Sequence, residues 1–269
     1  MNKIYKSFLE SKYYSTKYKK YFDIYDQLFE KFINKKITII EIGILNGGSL
    51  FMWRKYFGKK ARIIGVDLNP KTKLLEKYGF EIFNGDQSNK KFWEKLFKKI
   101  GKVDIIIDDG GHTNEQQSLT TVYTVPNINN GGMLVIEDTH ASYQKKFKNP
   151  NKYSFINFSK KIIDDVNYTY PNLGKFKYSL NKFIYAIEYF ESIVCFKIDK
   201  KKCSVNTKKN NNGKKIDIED FRYHIEKKKF NVLLNSNNFM INLLGKLLFK
   251  INKYLIQKIN HNKIKKYFI

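Results

Sequence analysis

Val103-Asp104-Ile105-Ile106-Ile107-Asp108-Asp109-Gly110-Gly111-His112 and, beyond a helical interval, Met133-Leu134-Val135-Ile136-Glu137-Asp138-Thr139-His140 read as two strands, each ending in an acidic turn. Both apolar runs are short and lack period-two alternation, the pattern of strands buried on both faces of a parallel sheet. Parallel neighbours need a crossover, and Glu115 to Val125 supplies a helix, closed by Pro126 and an Asn129-Asn130-Gly131-Gly132 turn. The acidic turns then share the carboxyl edge of one sheet, where open α/β sheets bind ligands. Carboxylates and imidazoles crowded on that edge repel one another, or stay protonated, unless a cation sits among them. The cluster is therefore read as a metal and general-base site.

Working outward toward the amino terminus, Ile37 to Ile42 forms a first strand. It ends in Glu41-Ile42-Gly43-Ile44-Leu45-Asn46-Gly47-Gly48-Ser49, ahead of a helix carrying Leu50, Trp53 and Tyr56. Glycines at such a turn let the backbone approach a ligand, with a helix amino terminus behind it. The turn is not the dinucleotide fingerprint, because Leu45 stands where G-x-G-x-x-G needs its second glycine. A second strand, Ala61 to Val66, ends in Asp67-Leu68-Asn69-Pro70, and Asp67 lies twenty positions past Gly47. An acid at that place commonly holds the two hydroxyls of a ribose. A third strand, Glu81 to Phe83, leads into Asn84-Gly85-Asp86-Gln87-Ser88, and a helix follows over 89–100.

The first 36 residues carry Phe22, Tyr25, Leu28, Phe29 and Phe32 at helical spacing, which predicts a helical flank or lid from which Tyr13, Tyr14 or Tyr18 can reach a substrate. Beyond His140 a helix is expected from Ser154 to Val166, then a hairpin of Phe183 to Tyr189 and Ser192 to Ile198, an antiparallel edge to the sheet. A Lys/Asn-rich linker and a helical tail follow, with Leu244, Leu247, Leu248, Ile251, Leu255 and Ile259 on one face and Lys246, Lys250, Lys253 and Lys258 outside it. The expected organisation is a flank over 1–36, an α/β domain over 37–199, and linker and tail over 200–269. The tail's apolar face is expected to pack on its own domain or a second subunit, with peripheral contact to an anionic membrane as the other use of such a helix.

With 269 residues, 42% of them hydrophobic and 16% aromatic, the chain can bury a sizeable core and does not have the composition of a disordered protein. Its formal charge is +26, yet of 51 basic residues only Arg54, Arg62 and Arg222 are arginine. Readers of bases and phosphates rely on arginine forks, so nucleic acid is not the expected partner. The excess of Lys, Asn, Ile, Tyr and Phe matches an A/T-rich coding bias, and a basic surface still favours small anionic ligands. Only Cys195 and Cys203 occur, Met1 to Lys6 lacks a signal-peptide core, and no apolar run is long enough to span a bilayer, so a cytoplasmic location is expected.

Glu41-Ile42-Gly43, Gly47-Gly48-Ser49, Gly65-Val66-Asp67, Gly85-Asp86-Gln87-Ser88, Asp108-Asp109-Gly110-Gly111-His112 and Ile136-Glu137-Asp138-Thr139 together resemble class I S-adenosylmethionine-dependent methyltransferases. More narrowly, they resemble the metal-dependent sugar O-methyltransferases of the macrocin and mycinamicin type, over residues 37 to 198. The resemblance implies a Rossmann-like, doubly wound, mostly parallel seven-stranded sheet with an antiparallel edge hairpin. It implies that Asp67 binds the donor's ribose, that Asp86 and Gln87 border its adenine, and that Glu41, Gly43, Gly47, Ser49 and Asp108 complete the donor contacts. Asp109, Glu137 and Asp138 correspond to ligands of Mg²⁺ or Mn²⁺, and His112 to the general base, with His140 as a second imidazole. Gly111 stands where the family usually has serine.

The chemistry agrees with that assignment. A sugar hydroxyl must lose its proton as it attacks the sulfonium methyl group, which oxygen-held divalent cations and a nearby imidazole both promote. The expected activity is O-methylation of a sugar hydroxyl, with a nucleotide-activated sugar for capsule or other surface polysaccharide as acceptor, because lysines can hold its diphosphate. The alternatives are a natural-product glycoside or small metabolite as acceptor, or a basic RNA- or membrane-binding protein on a degenerate methyltransferase fold. A homo-oligomer is left open.

Overall fold

A computed structural model describes residues 2–147, 151–167, 179–214, 216 and 224–268. The chain divides into two compact units, residues 1–207 and 208–269.

In the first unit the elements run α1 (Lys3–Leu9), α2 (Tyr21–Phe29), β1 (Thr38–Ile42), α3 (Gly48–Phe57), β2 (Arg62–Asp67), β3 (Glu81–Asn84), α4 (Lys90–Ile100), β4 (Val103–Asp108), α5 (Asn114–Thr124), β5 (Ile128–Ile136), α6 (Phe155–Asn167), β6 (Ile184–Phe190) and β7 (Ile193–Ile198). The seven strands form one sheet in the order β3-β2-β1-β4-β5-β7-β6. Pairing is parallel from β3 through β5, and β7 is antiparallel to both β5 and β6. This is the Rossmann-like sheet with an edge hairpin that the strand–helix alternation predicts.

The β-branched runs explain the burial. Ile39, Ile105, Ile107 and Val135 face one layer, with Trp53 and Phe57 of α3 and Tyr25 and Phe29 of α2. Ile40, Ile106, Leu134 and Ile136 face the other, with Trp93 and Leu96 of α4 and Phe155 of α6. The amino-terminal helices are thus part of the first core layer, and Ile4, Tyr25 and Phe29 are fully buried.

Two expectations change. The segment Asn129-Asn130-Gly131-Gly132 is not a closing turn: it lies inside β5, where the register against β4 shifts between Val103 and Ile105. A Cβ on Gly132 would meet the Asp104 carbonyl oxygen at 2.3 Å, so the glycine permits a close strand approach rather than a reversal. The first unit also extends past residue 199, because Asp199 N–H donates to Phe183 O at 3.0 Å and Lys200 N–H to Asn130 Oδ1 at 3.0 Å.

The order reverses between β1 and β4, so the ends of these two strands flank the switch point where open α/β sheets hold ligands. The chain is laced there: Gly43 N–H donates to Val66 O at 2.8 Å, Asp109 N–H to Ile42 O at 3.1 Å, and Glu137 N–H to Asp108 O at 2.9 Å. Consecutive strand tips, and the acids they carry, are held side by side.

Among the described residues no helix is long and apolar enough to cross a membrane. The second unit contains α7 (His224–Leu234) and α8 (Phe239–Ile264).

Candidate active site

The glycine turn after β1 sets one wall. Gly43 has φ +81°, and a Cβ there would stand 2.1 Å from the Asp109 carbonyl oxygen, so only glycine lets the β1 and β4 tips pass this closely. Asp67 stitches the turn to β2: one carboxylate oxygen accepts from Ile44 N–H and Leu45 N–H at 3.0 Å each, and the other from Asn69 N–H at 2.8 Å.

A cavity of about 360 Å³ opens over these tips, lined by Gly43, Asp67, Gly85, Gln87, Asp109 and His112 among others. Gln87 is fixed from behind by Asp108, whose two oxygens accept from its amide at 2.9 and 3.0 Å. The sequence places Asp108, Asp86, Glu41, Ser49 and Gly47 at this edge, but none of them lines the cavity. Asp108 and Glu41 are buried, and burial pushes both carboxyls upward; Gln87 and Gly110 N–H oppose the shift at Asp108, and Lys17 and the Ser49 hydroxyl oppose it at Glu41. Gly47 is the left-handed cap of α3, and Asp86 caps its own turn by accepting from Ser88 N–H at 2.7 Å.

The acidic tips of β4 and β5 converge on the far side of this cavity. One ligand atom each from Asp109, His112 and Asp138 can be chosen so that all lie within 4.8 Å of one another. His112 Nε2 is 3.9 Å from Asp109 Oδ1 and 3.5 Å from Asp138 Oδ2. Its Nδ1 is buried without a hydrogen bond, and Nε2 is the nitrogen that faces the two carboxylates. His112 and Asp138 both have left-handed backbones, φ 57° and 54°. Such strain on side-chain-bearing residues is held only where the surroundings over-determine it, and here it aims two groups at one point.

Glu137 is expected in this set, yet the structure gives it other partners. Its Oε1 accepts from Tyr25 OH at 2.6 Å and its Oε2 from Lys17 Nζ at 2.8 Å. Lys17 also donates to Asp109 Oδ2 at 2.7 Å and stands 3.7 Å from Glu41 Oε1. Its side chain is only 2% exposed. Burial alone would lower the Lys17 pKa; Asp109, Glu137 and Glu41 more than reverse this, so it stays well above the ordinary lysine range. Burial, with repulsion from Asp109, pushes Glu137 up while Lys17 and Tyr25 pull it back.

Asp138 is treated similarly, its Oδ1 accepting from Tyr21 OH at 2.5 Å. Burial first, and Asp138 or Glu137 next, raises the Tyr21 and Tyr25 hydroxyls, so both remain donors. Lys17, Tyr21 and Tyr25 form a polar clamp that the sequence reading missed. Tyr21 and Tyr25, four residues apart, share one face of α2 and were the available signal, whereas Lys17 precedes the helix in irregular backbone.

His140 stands apart from His112. Its Nδ1 is 4.0 Å from Asp138 Oδ1 and shares a hydrogen bond with Ser192 Oγ, and its ring meets Tyr18 edge-on. Together with Lys19, Lys20 and Tyr21 these residues line a second cavity of about 420 Å³. Of the three tyrosines expected to reach a substrate, Tyr18 borders this space, whereas Tyr13 pairs with the Tyr78 hydroxyl.

The Asp109, His112 and Asp138 set fits a divalent cation. Asp109 Oδ1 and Asp138 Oδ2 face His112, while the opposite oxygens of the same carboxylates are held by Lys17 and Tyr21. Outer partners of this kind orient metal ligands.

No protein-family model matches the chain. Among curated proteins it is 31% identical over 159 residues to the 8-demethyl-8-alpha-L-rhamnosyl tetracenomycin-C 2'-O-methyltransferase of Streptomyces olivaceus, covering 55% of this chain and 42% of that protein. It is 33% identical over 130 residues to the demethylmacrocin O-methyltransferase of Streptomyces fradiae, covering 46% of this chain and 32% of the relative. The chain thus spans less than half the length of these relatives. Among solved structures, the MycE methyltransferase of the mycinamycin pathway in complex with Mg and SAH superposes with a TM-score of 0.61 at 24% identity, over 66% of this chain and 49% of that one. The chain carries the fold of class I S-adenosylmethionine-dependent methyltransferases, and over that domain it is a relative of the macrocin- and mycinamicin-type sugar O-methyltransferases.

Proposed function

We propose that the chain is an S-adenosylmethionine- and divalent-cation-dependent O-methyltransferase acting on a sugar hydroxyl. One observation carries this reading: Asp109 and His112 line the first cavity, and Asp138, 3.5 Å from His112, is bonded to Tyr21 of the second. Two spaces, one for a donor and one for an acceptor, are joined through a cluster suited to deprotonating a hydroxyl.

In this reading the first cavity takes the donor. Asp67 holds its ribose, Gly85 and Gln87 border its adenine, and Gly43 admits its methionine portion. Asp109 and Asp138 hold Mg²⁺ or Mn²⁺, which when bound lowers the acidity barrier of a hydroxyl whose pKa is near that of water, about 15.7. His112 Nε2 receives the hydroxyl proton. As the oxygen forms its bond to the methyl carbon, the carbon–sulfur bond breaks and its electron pair stays on sulfur, leaving the demethylated thioether. Glu137 joins the cation only where Lys17 gives it up.

Two acceptor classes remain within the proposal. A sugar on a glycoside or small metabolite is supported by the relatives, which are named for glycoside substrates. A nucleotide-linked sugar for surface polysaccharide is supported by Lys19 on the second cavity, which suits a diphosphate, although Lys20 there is paired with Glu191. A cytoplasmic location belongs to the same reading. Calorimetric titration with S-adenosylmethionine and its demethylated product, with and without Mg²⁺, tests the donor half. Micromolar binding is expected, and no binding in either condition overturns the proposal. Methyl transfer to matched panels of nucleotide sugars and glycosides then separates the acceptors.

A further inference from the structure

Helix α8 of the second unit is 26 residues long and carries an unusual surface. Leu244, Leu247, Ile251, Leu255 and Ile259 follow one another at helical spacing, and each is about half exposed. Tyr254 lies beside them and is 64% exposed. The neighbouring helix α7 does not cover this row, because it packs on another side. Phe230 of α7 meets Phe249 with ring centroids 5.9 Å apart, and Gly245 is buried against Leu233. From Leu244, positions 245 and 249 lie about 100° and about 140° round a 3.6-residue helix, off the exposed row. Water-soluble chains rarely leave so long an apolar strip bare.

Charge says what covers it. Between His224 and Phe268 the sequence holds ten lysines and one acid, Glu226. On a 3.6-residue helix Lys250 and Lys263 border the row on its two sides, and Lys246 and Lys253 lie behind it. A second copy of this helix would bring like charges together, and the whole chain is itself strongly basic at +26. Nucleic acid would answer the lysines and leave the leucines in water. A surface that is both apolar and anionic answers both, which is the description of an anionic lipid bilayer at its headgroup level. The helix does not qualify to cross the bilayer.

We propose that α8 docks the protein on anionic membrane surfaces, lying in the interface plane with Leu247, Ile251 and Leu255 immersed and the lysines among headgroups. This inference is independent of the reaction assigned above. It is tested with the full chain by flotation on vesicles of phosphatidylcholine alone or mixed with phosphatidylglycerol, at low and high salt. Binding is expected only with phosphatidylglycerol and should weaken at high salt. A triple variant, Leu247→Glu, Ile251→Glu and Leu255→Glu, should partition more than about tenfold more weakly, since it replaces immersed alkyl groups with charge. These side chains are half exposed, so the variant's circular dichroism should match that of the parent. Absence of binding to either vesicle overturns the proposal, as does binding that the triple variant leaves unchanged. Self-association seen by sedimentation, lost in the triple variant and unaccompanied by vesicle binding, also overturns it and assigns the strip to a second copy.

Discussion

Lys17 is the residue on which the chemistry of the proposed site turns. A buried ammonium touching Asp109 and Glu137 is at once a partner for these acids and a rival to any cation they could hold. Lys17→Met leaves the carboxylates uncompensated, and breaking such a buried pair costs about 3–5 kcal/mol. The variant should therefore unfold at lower denaturant than the parent in chelator. Its Mn²⁺ affinity should rise by at least about tenfold, since a unit charge about 4 Å away at an effective dielectric of about 20 is worth several kcal/mol. Calorimetry with Mn²⁺ checks the second outcome, and equal or weaker binding would show that Lys17 only supports the ligands. His112→Ala separates two roles for the imidazole. As proton acceptor it should cost about 10² to 10⁴ in turnover with Mn²⁺ affinity little changed; a parallel loss of affinity would make it a ligand instead. Asp109, His112 and Asp138 were legible in the sequence because each sits within a few residues of a strand end. Lys17 was not, because its partners lie far along the chain and nothing local marks a lysine as buried.

At the scale of elements, the sheet edge depends on close passage of strand tips. Gly43→Ala would set a methyl group 2.1 Å from the Asp109 carbonyl oxygen at a φ of +81°. The expected result is a loss of stability of about 1–3 kcal/mol, with weakened donor binding, measured by denaturant titration and calorimetry. In β7, Cys195 is fully buried and burial pushes its thiol up to about 12. Alkylation of the native protein at neutral pH should therefore spare Cys195, and peptide mapping after iodoacetamide treatment checks it. Strand positions and the edge hairpin could be read in advance because each strand is a dense β-branched run. What the pattern could not show was depth. Glu41 and Asp108 look like ligand contacts in a motif, but they end up one layer below the cavity, supporting Ser49 and Gln87. Asn129 to Gly132 carries every signal of a turn, yet a sheet can absorb such residues where two backbones must approach.

Over the whole molecule, the acid cluster is compensated from within by a lysine and two tyrosines of the amino-terminal segment. Thermal unfolding should accordingly be unaffected by chelator, whereas saturating Mn²⁺ should raise the transition temperature by mass action. A large drop in chelator would show that the fold itself relies on the ion. The helical flank expected over 1–36 illustrates how far composition reaches: its helices were legible, but not its place inside the core layer beside Trp53. The internal ammonium also bears on the life of the polypeptide before any ion arrives. Structural zinc domains are unfolded until loaded, so their abundance follows metal supply. Under the proposed reaction, a chain that brings its own positive charge to the acids can finish folding in a metal-starved cell, persist as an idle reserve, and become active when the ion returns, without new synthesis.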